Sequence, residues 1–273
     1  MTNSIHPSAV IEDGASLGSD VTIGPFCHVG ADVALGDGVR LHSHVVVTGA
    51  TTLGPGCEVF PNAVLGCPPQ NNKHQGGRTT LTIGERTVIR EGVTMHTGTD
   101  TARGATTVGS HCNFLAYSHV SHDSVIGNHV TFANNVMLGG HCEIGDYVII
   151  GGGSALHQFV RIGHHAFVGG LTGIEGDLIP FGMATGDRAN LGGLNIIGMR
   201  RSGIERSEIH ALRHAYKALF DRARPIRENA ALVAAEYAES ALVQDVVAFV
   251  QAGGKRAFVT PPLNEKSDES ADD

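Results

Sequence analysis

The sequence predicts an all-β solenoid followed by a small α-helical domain, and three features of the chain carry that prediction. Aliphatic residues recur with a period of six, glycine often follows them at a fixed phase, and helical spacing takes over from about residue 190. Repeats this short indicate stacked coils, in which each coil packs mainly on its neighbours. The composition agrees, because 37 glycines and 5% aromatic residues are unusual for a conventional globular core.

The period-six pattern fills 26 positions, of which 23 are isoleucine, leucine or valine. Eleven run from Ile5 to Leu65, three from Ile83 to Met95, and twelve from Val108 to Ile174. Six residues are too few for a helix and a turn but suffice for a short strand and a corner, with one side chain pointing inward. With three strands to a coil, the pattern predicts a parallel β-helix of hexapeptide repeats with roughly nine coils.

The repeat also has a small position, four residues after the aliphatic one. Four of the five cysteines occupy it, namely Cys27, Cys57, Cys112 and Cys142. This placement predicts buried thiols that fill space, and it argues against a disulfide framework or a cysteine-built zinc site.

The pattern divides the chain into three parts. Residues 1–189 are expected to form the β-helix, residues 190–258 a helical domain, and residues 259–273 an acidic, disordered tail. The helical assignment rests on apolar residues at spacings of three and four in 208–222, 230–237 and 241–250.

Charge and hydropathy exclude several classes of protein. A formal net charge of −8 gives no overall basic field for nucleic acid, so no nucleic-acid partner is expected. No window approaches the ~18 apolar residues of a membrane span, and no leader of secretory type is evident. We therefore expect no stable membrane insertion and a cytoplasmic location.

Function should lie where the chain departs from the repeat, because a repeat scaffold alone catalyses nothing. One departure is a polar break at 66–80, and another is a run of histidines: His96, His119, His122, His141 and His157. At ~18 residues per coil, several of these histidines fall on neighbouring coils of one side. His122 and His141, 19 residues apart, should stack closely.

His122 and Asp123 form a candidate catalytic pair. A neutral imidazole can take a proton from a sugar hydroxyl that attacks a thioester, and a following acid can orient the ring. Side chains of adjacent strand residues point to opposite faces, so the contact requires a corner or a bent backbone.

Several ordered motifs make the chain resemble the UDP-N-acetylglucosamine O-acyltransferase family, which begins lipid A synthesis. The motifs are Gly24-Pro25-Phe26-Cys27, Ser43-His44-Val45-Val46-Val47, Val120-Ser121-His122-Asp123, Ala133-Asn134-Asn135, Gly139-Gly140-His141, Ile149-Ile150-Gly151-Gly152, His157-Gln158-Phe159, Asn195-Ile196 and Arg200-Arg201. The resemblance runs from the N-terminus through at least Tyr216-Lys217. It implies a left-handed β-helix, a homotrimer with sites between prisms, and transfer of a long 3-hydroxyacyl chain to the sugar 3-hydroxyl.

The resemblance also implies roles for individual residues. His122 would be the general base, Asp123 would assist it, and the Gly140 backbone N–H would face the oxyanion. Contacts to the sugar nucleotide or acyl donor are expected from Gln70, Asn71, Lys73, His96, His119, His141, His157, Gln158, Asn195, Arg200 and Arg201. Gly170 matches the position where the size of the side chain limits acyl length, and a glycine there would leave the groove open for a long chain. A turn glycine of the repeat is the alternative explanation of this residue. No metal and no bound cofactor are expected, since the donor is an acyl carrier protein bearing 4′-phosphopantetheine.

The carrier protein would dock on a basic surface of the helical domain. The candidates there are Arg206, Arg213, Lys217, Arg222 and Arg224. Solvated helix charges are the alternative explanation of these residues.

Three positions depart from the family pattern. Asn71 and Ile197 stand where an acid is frequent, and Met199 replaces a more usual base. Because these changes fall in the sugar-nucleotide pocket, a 3-amino sugar acceptor that yields an amide stays open.

Other functions are compatible with a hexapeptide solenoid. The sibling N-acyltransferase of the same pathway has an additional domain ahead of its prism, whereas the repeat here begins at Ile5. A zinc-dependent carbonic anhydrase uses three histidines between prisms of this kind. A non-catalytic β-helix for binding or ice contact would explain neither the polar break nor the histidines.

Overall fold

The computed structural model describes residues 2–263, and each of the 26 period-six positions lies in a short strand. The strands are β1 (Ser4–Ile5), β2 (Val10–Ile11), β3 (Ser16–Leu17), β4 (Thr22–Ile23), β5 (His28–Val29), β6 (Ala34–Leu35), β7 (Arg40–Leu41), β8 (Val46–Val47), β9 (Ala50–Leu53), β10 (Glu58–Val59), β11 (Val64–Cys67), β12 (Thr80–Ile83), β13 (Val88–Ile89), β14 (Thr94–His96), β15 (Ala105–Val108), β16 (Asn113–Phe114), β17 (His119–Val120), β18 (Val125–Ile126), β19 (Thr131–Phe132), β20 (Met137–Leu138), β21 (Glu143–Ile144), β22 (Ile149–Ile150), β23 (Ala155–Leu156), β24 (Arg161–Ile162), β25 (Phe167–Val168) and β26 (Gly173–Ile174). The predicted parallel β-helix is confirmed.

Every third strand joins the same parallel sheet, so three sheets form the faces of a triangular prism. Sheet A begins with β1, β4 and β7, sheet B with β2, β5 and β8, and sheet C with β3, β6 and β9. The pairing places one aliphatic position on the next, as in Ile23 opposite Leu41. Three edges, named A–B, B–C and C–A, carry the corners between successive sheets.

The aliphatic positions form one continuous core along the prism. From Ile23 to Ile174, each is at most 4% exposed. Burial of an aliphatic side chain contributes roughly 1.5–3 kcal/mol before the entropy of the chain is subtracted, so the stack is stabilised collectively. Ile5 is 43% exposed, because no coil covers the first one from below.

The four cysteines of the small position are buried and unpaired, as predicted. Burial raises the pKa of the Cys112 thiol to about 11 and that of the Cys142 thiol to about 12. These thiols therefore stay protonated and act as small core side chains.

The prism ends in an antiparallel hairpin, and the helical domain follows it. The remaining elements are β27 (Gly182–Thr185), β28 (Asn190–Leu194), α1 (Ile196–Arg201), α2 (Arg206–Leu219), α3 (Ile226–Glu236) and α4 (Ala241–Ala252). Within residues 2–263, the helices fall short of the length and apolar character that a membrane crossing requires.

Two predicted boundaries were wrong. The boundary at 189/190 cuts the hairpin, because β28 pairs with β27 in sheet A and the helices begin only at Ile196. The start of the tail at 259 is also wrong, because Val259 is buried and donates a backbone hydrogen bond of 2.9 Å to Asp177. The chain thus returns to the prism after α4. The rest of the predicted tail, 264–273, lies outside the described residues.

Candidate active site

Both long departures from the repeat leave the prism at the B–C edge. The loop 68–79 connects β11 to β12, and the loop 97–104 connects β14 to β15. In the next coils the same edge carries His122 and Asp123, then Gly140 and His141, then His157 and Gln158. The fold therefore gathers the polar break and most of the predicted histidines along one edge.

The His122–Asp123 contact exists because it lies at a corner. Asp123 has a φ of 58°, in the left-handed region that aspartate tolerates better than most residues. This turn brings the two side chains together, and His122 Nδ1 lies 2.8 Å from Asp123 Oδ2. The carboxylate accepts a hydrogen bond from the protonated Nδ1, so Nε2 carries the lone pair. Asn71 Nδ2 lies 3.3 Å from that Nε2 atom.

Asp123 is held from three further directions by the loop 97–104. Its carboxylate accepts hydrogen bonds from the Thr99 backbone N–H at 3.1 Å, the Thr99 hydroxyl at 2.8 Å and the Gly104 N–H at 3.0 Å. Burial alone would raise the pKa of Asp123, but the hydrogen bonds from His122 and Thr99 outweigh it and the pKa is lowered. The carboxylate is therefore an anion that is held in place beside the His122 imidazole.

Gly140 lies against the His122 ring. A Cβ atom at this position would lie 2.6 Å from His122 Cε1 and 2.8 Å from Nε2, so only glycine leaves the ring in place. Its N–H donates to no other residue in 2–263, whereas the neighbouring His141 N–H donates to His122 O. The Gly140 N–H is available to a ligand beside the imidazole.

His96 and His119 lie beside this edge on sheet B. Their rings meet edge to face at 5.1 Å, and His119 Nδ1 lies 2.8 Å from the Thr94 hydroxyl. Burial, with His96 and His122 close by, lowers the pKa of His119 to about 4. Burial likewise lowers the pKa of His96, whose Nδ1 has no partner in the described chain. Both rings are neutral near pH 7.

His141 and His157 are each held in place by one neighbouring side chain, Phe159 for His141 and Arg256 for His157. His141 stacks on Phe159 with centroids 4.5 Å apart, and burial lowers its pKa despite the nearby Asp123. Arg256 donates to His157 Nδ1 and, through Nε, to the Gln158 carbonyl at 2.9 Å. Since Nδ1 accepts, the other His157 nitrogen carries its proton.

The loop 68–79 also carries the other predicted residues of the polar break, Gln70 and Lys73. Gln70 and Lys73 are exposed, and Asn71 Oδ1 accepts a hydrogen bond of 2.9 Å from the Lys73 N–H.

Gly170 lies on the A–B side of sheet A, where a Cβ atom would approach only the Gly152 backbone, at 3.3 Å.

Asn195 and Arg201 lie on another face of the same prism. They line a cavity of about 480 Å³ whose other walls include Ile149 and Phe167 of sheet A. Asn195 also begins α1, since its Oδ1 accepts the Gly198 N–H at 2.9 Å and its Nδ2 donates to His165 O at 2.9 Å. Arg200 is exposed and does not line this cavity.

Comparison with known proteins shows where this arrangement belongs. Residues 177–259 match the family model described as Udp N-acetylglucosamine O-acyltransferase, Domain 2, and residues 14–49 match the bacterial transferase hexapeptide model. The chain is 59% identical over 260 residues to the acyl-[acyl-carrier-protein]–UDP-N-acetylglucosamine O-acyltransferase of Brucella ovis, covering 95% of this chain and 94% of that protein. The chain belongs to the UDP-N-acetylglucosamine O-acyltransferase family.

Further relatives agree with this assignment. The enzyme of the same name from Bartonella bacilliformis is 58% identical and covers 94% of each chain. A crystal structure of a UDP-N-acetylglucosamine acyltransferase superimposes with a TM-score of 0.92 at 39% identity, over 95% of this chain and 99% of that one. The β-helix is thus left-handed, as the sequence resemblance implied, and the chain is an acyltransferase.

One cluster of side chains shows whether the site suits a zinc ion, as the carbonic anhydrase alternative requires. Ligand atoms of His122, Asp123 and His141 lie within 4.8 Å of one another, close enough for an ion. However, the Asp123 oxygens already accept hydrogen bonds from Thr99, Gly104 and His122. A metal would have to displace these bonds, so the cluster fits an acid–base pair better than a metal centre.

Sequence reasoning missed four residues that the fold brings to this edge. Thr99 and Arg103 belong to the second break of the repeat, whose position in the pattern is a signal that could have found them. Lys255 and Arg256 follow α4, and no periodicity marks a segment that returns from a separate domain.

Proposed function

We propose that this chain transfers a long (R)-3-hydroxyacyl group from acyl carrier protein to the 3-hydroxyl of UDP-N-acetylglucosamine, the first step of lipid A biosynthesis. The observation that carries this proposal is the His122–Asp123 pair beside the free Gly140 N–H. These are a base, its orienting anion and an oxyanion donor, the groups that acyl transfer needs. A carrier-protein donor and a nucleotide-sugar acceptor suit a reaction in the cytoplasm.

The proton and bond changes follow from the tautomer of His122. Nε2 takes the proton of the sugar hydroxyl as its oxygen attacks the thioester carbon. The Gly140 N–H stabilises the tetrahedral oxyanion, and Asp123 stabilises the imidazolium that forms. The carbon–sulfur bond then breaks, and the imidazolium returns the proton to the departing thiolate, so the histidine is neutral again.

In the free chain, Asn71 Nδ2 lies against His122 Nε2, where the acceptor must bind. The sugar hydroxyl would replace this amide contact on the imidazole, and Asn71 would then contact the sugar. An amide both donates and accepts, so Asn71 suits either a hydroxyl or an amine on the sugar. The apo contact marks the acceptor position.

A homotrimer would complete the site. In a triangular prism the B–C edge is opposite sheet A, so the His122 corner and the cavity of Asn195 and Arg201 face away from each other. One chain cannot bring them to the same ligand, but rotational packing of identical prisms sets the edge of one against the face of the next. In such a trimer, the cavity's Asn195 and Arg201 would bind uridine and phosphates, and Ile149 and Phe167 would contact the acyl chain.

Acyl transfer can be measured directly by mass spectrometry. Purified protein is incubated with hydroxyacyl carrier-protein thioesters of several lengths and either UDP-N-acetylglucosamine or its 3-amino analogue. We expect an acylated product of UDP-N-acetylglucosamine whose new bond is hydrolysed by alkali, as an ester bond is. Product only from the amino analogue, stable to alkali, would replace the ester with an amide. Hydration of CO₂ lost on chelation, without acyl transfer, would contradict the proposal.

A further inference from the structure

A second cavity, of about 720 Å³, opens beside the catalytic edge on its sheet C side. Asp123 and His141 line one part of it, while Arg227 of α3 and Lys255, after α4, line another. It lies between the prism and the helical domain. The cavity is therefore continuous with the catalytic pair but separate from the Asn195 cavity on sheet A.

This cavity has more positive than negative charge. Arg103, Arg227 and Lys255 line it, and none of them forms an ion pair with a carboxylate in residues 2–263. A fourth cation, Arg161, is neutralised by Asp177 at 2.7 Å. The acidic lining residues within the described chain are Asp123, already bonded to its neighbours, and Glu143. On a chain of net charge −8, three unpaired cations around one cavity indicate an anionic ligand.

Two glycines keep the helical side of this cavity open. Gly253 has a φ of 69°, and a Cβ atom there would lie 2.6 Å from Arg227 Nη2. A Cβ atom at Gly254 would lie 2.4 Å from Asp177 Oδ2 and 2.6 Å from Arg161 Nε. Side chains at these positions would displace the guanidinium groups, so the glycines let the backbone approach the cations.

Lys255 is held in place. Its Nζ atom lies 4.1 Å from the centre of the Phe159 ring, which stacks on His141. A cation fixed over an aromatic face loses less conformational freedom when it binds an anion.

We propose that this cavity binds the phosphodiester of the donor's 4′-phosphopantetheine arm, an inference that rests on the proposed function. The thioester must reach His122, so the arm has to approach along a path that ends at Asp123 and His141. The cavity provides that path and presents Arg103, Arg227 and Lys255 along it. The other phosphates in the reaction, those of the nucleotide sugar, have a separate proposed position at Arg201.

Binding measurements can isolate the contribution of the phosphate. We compare the dissociation constants of hydroxyacyl-4′-phosphopantetheine and hydroxyacyl-pantetheine by calorimetry on the full-length protein. The wild-type protein should bind the phosphorylated thioester about tenfold or more tightly, as charge-assisted contacts to phosphate predict. The double variant Arg227→Met, Lys255→Met should lose most of this preference. Arg103 is left intact because it also donates to carbonyls of Ala105 and Ser124.

Arg40→Met is the control variant, since it removes an exposed arginine from β7 of sheet A, which does not line this cavity. It should keep the wild-type preference for the phosphorylated thioester. Equal binding of both thioesters to the wild-type protein, or no binding of either, would overturn the inference. So would a double variant that keeps the preference, or one whose KM rises for the UDP-sugar instead of the donor. Turnover of the wild-type protein with acyl carrier protein tests the proposed function independently.

Discussion

Replacement of His122 by alanine should lower kcat by about two to four orders of magnitude, the range typical of removing a general base. The alanine methyl group cannot take the proton of the sugar hydroxyl. The two neighbouring histidines, His141 and His119, are not placed to replace the lost base. His141 Nε2 lies 3.9 Å from Asp123 Oδ2, on the Asp123 side of the pair. His119 is buried on sheet B and bonded to Thr94. Steady-state assays with carrier-protein thioester and UDP-N-acetylglucosamine measure the loss.

His42→Ala provides the matched control for this variant. His42 is also a partly buried histidine near a corner, with Nε2 2.9 Å from Glu58 Oε1, but it lies at the A–B edge. It should keep nearly wild-type turnover. If both variants lost activity equally, or if His122→Ala turned over at a near wild-type rate, His122 would not be the base.

Replacement of Asp123 by asparagine should also lower kcat by about two to four orders of magnitude, for a different reason. An amide lacks the charge that stabilises the imidazolium, and its NH₂ group would face the Thr99 and Gly104 donors or His122 Nδ1–H. Either orientation loses hydrogen bonds, and His122 can adopt the opposite tautomer.

This variant should also affect the loop 97–104, unlike His122→Ala. The lost bonds to a buried carboxylate predict a decrease of about 1–3 kcal/mol in the free energy of unfolding. Denaturant unfolding measures the decrease, and faster hydrogen exchange at the Thr99 and Gly104 amides would place it in the loop. Unchanged turnover of Asp123→Asn would show that its anion has no part in catalysis.

The sequence was sufficient for the prism but not for the corners. Period six specifies which side chain points inward, so the positions from Ile23 to Ile174 and their burial could be predicted. The positive φ of Asp123 could not, because corners accept aspartate, histidine, phenylalanine and leucine alike. That one dihedral angle brings His122 and Asp123 into contact.

The other differences between the prediction and the structure arise from contacts between segments that are far apart in the sequence. The segment around Lys255 and Arg256 follows a separate helical domain, and backbone hydrogen bonds that join Asp177 to Ala257 and Val259 return it to the prism beside the catalytic edge. No local pattern records such a pairing. The resemblance to the family named the catalytic candidates residue by residue, but the hydrogen bonds from Thr99 to Asp123 required coordinates.

We propose that His122 of one chain acts on a ligand held by the sheet A cavity of another. Co-expression of differently tagged His122→Ala and Arg201→Glu chains, each inactive alone, tests it directly. Purified mixed trimers should regain about a third of wild-type activity, because a ring of three chains of two kinds joins an intact edge to an intact cavity at one of its three sites. Mixed oligomers that form but remain as inactive as the parent variants would contradict the claim.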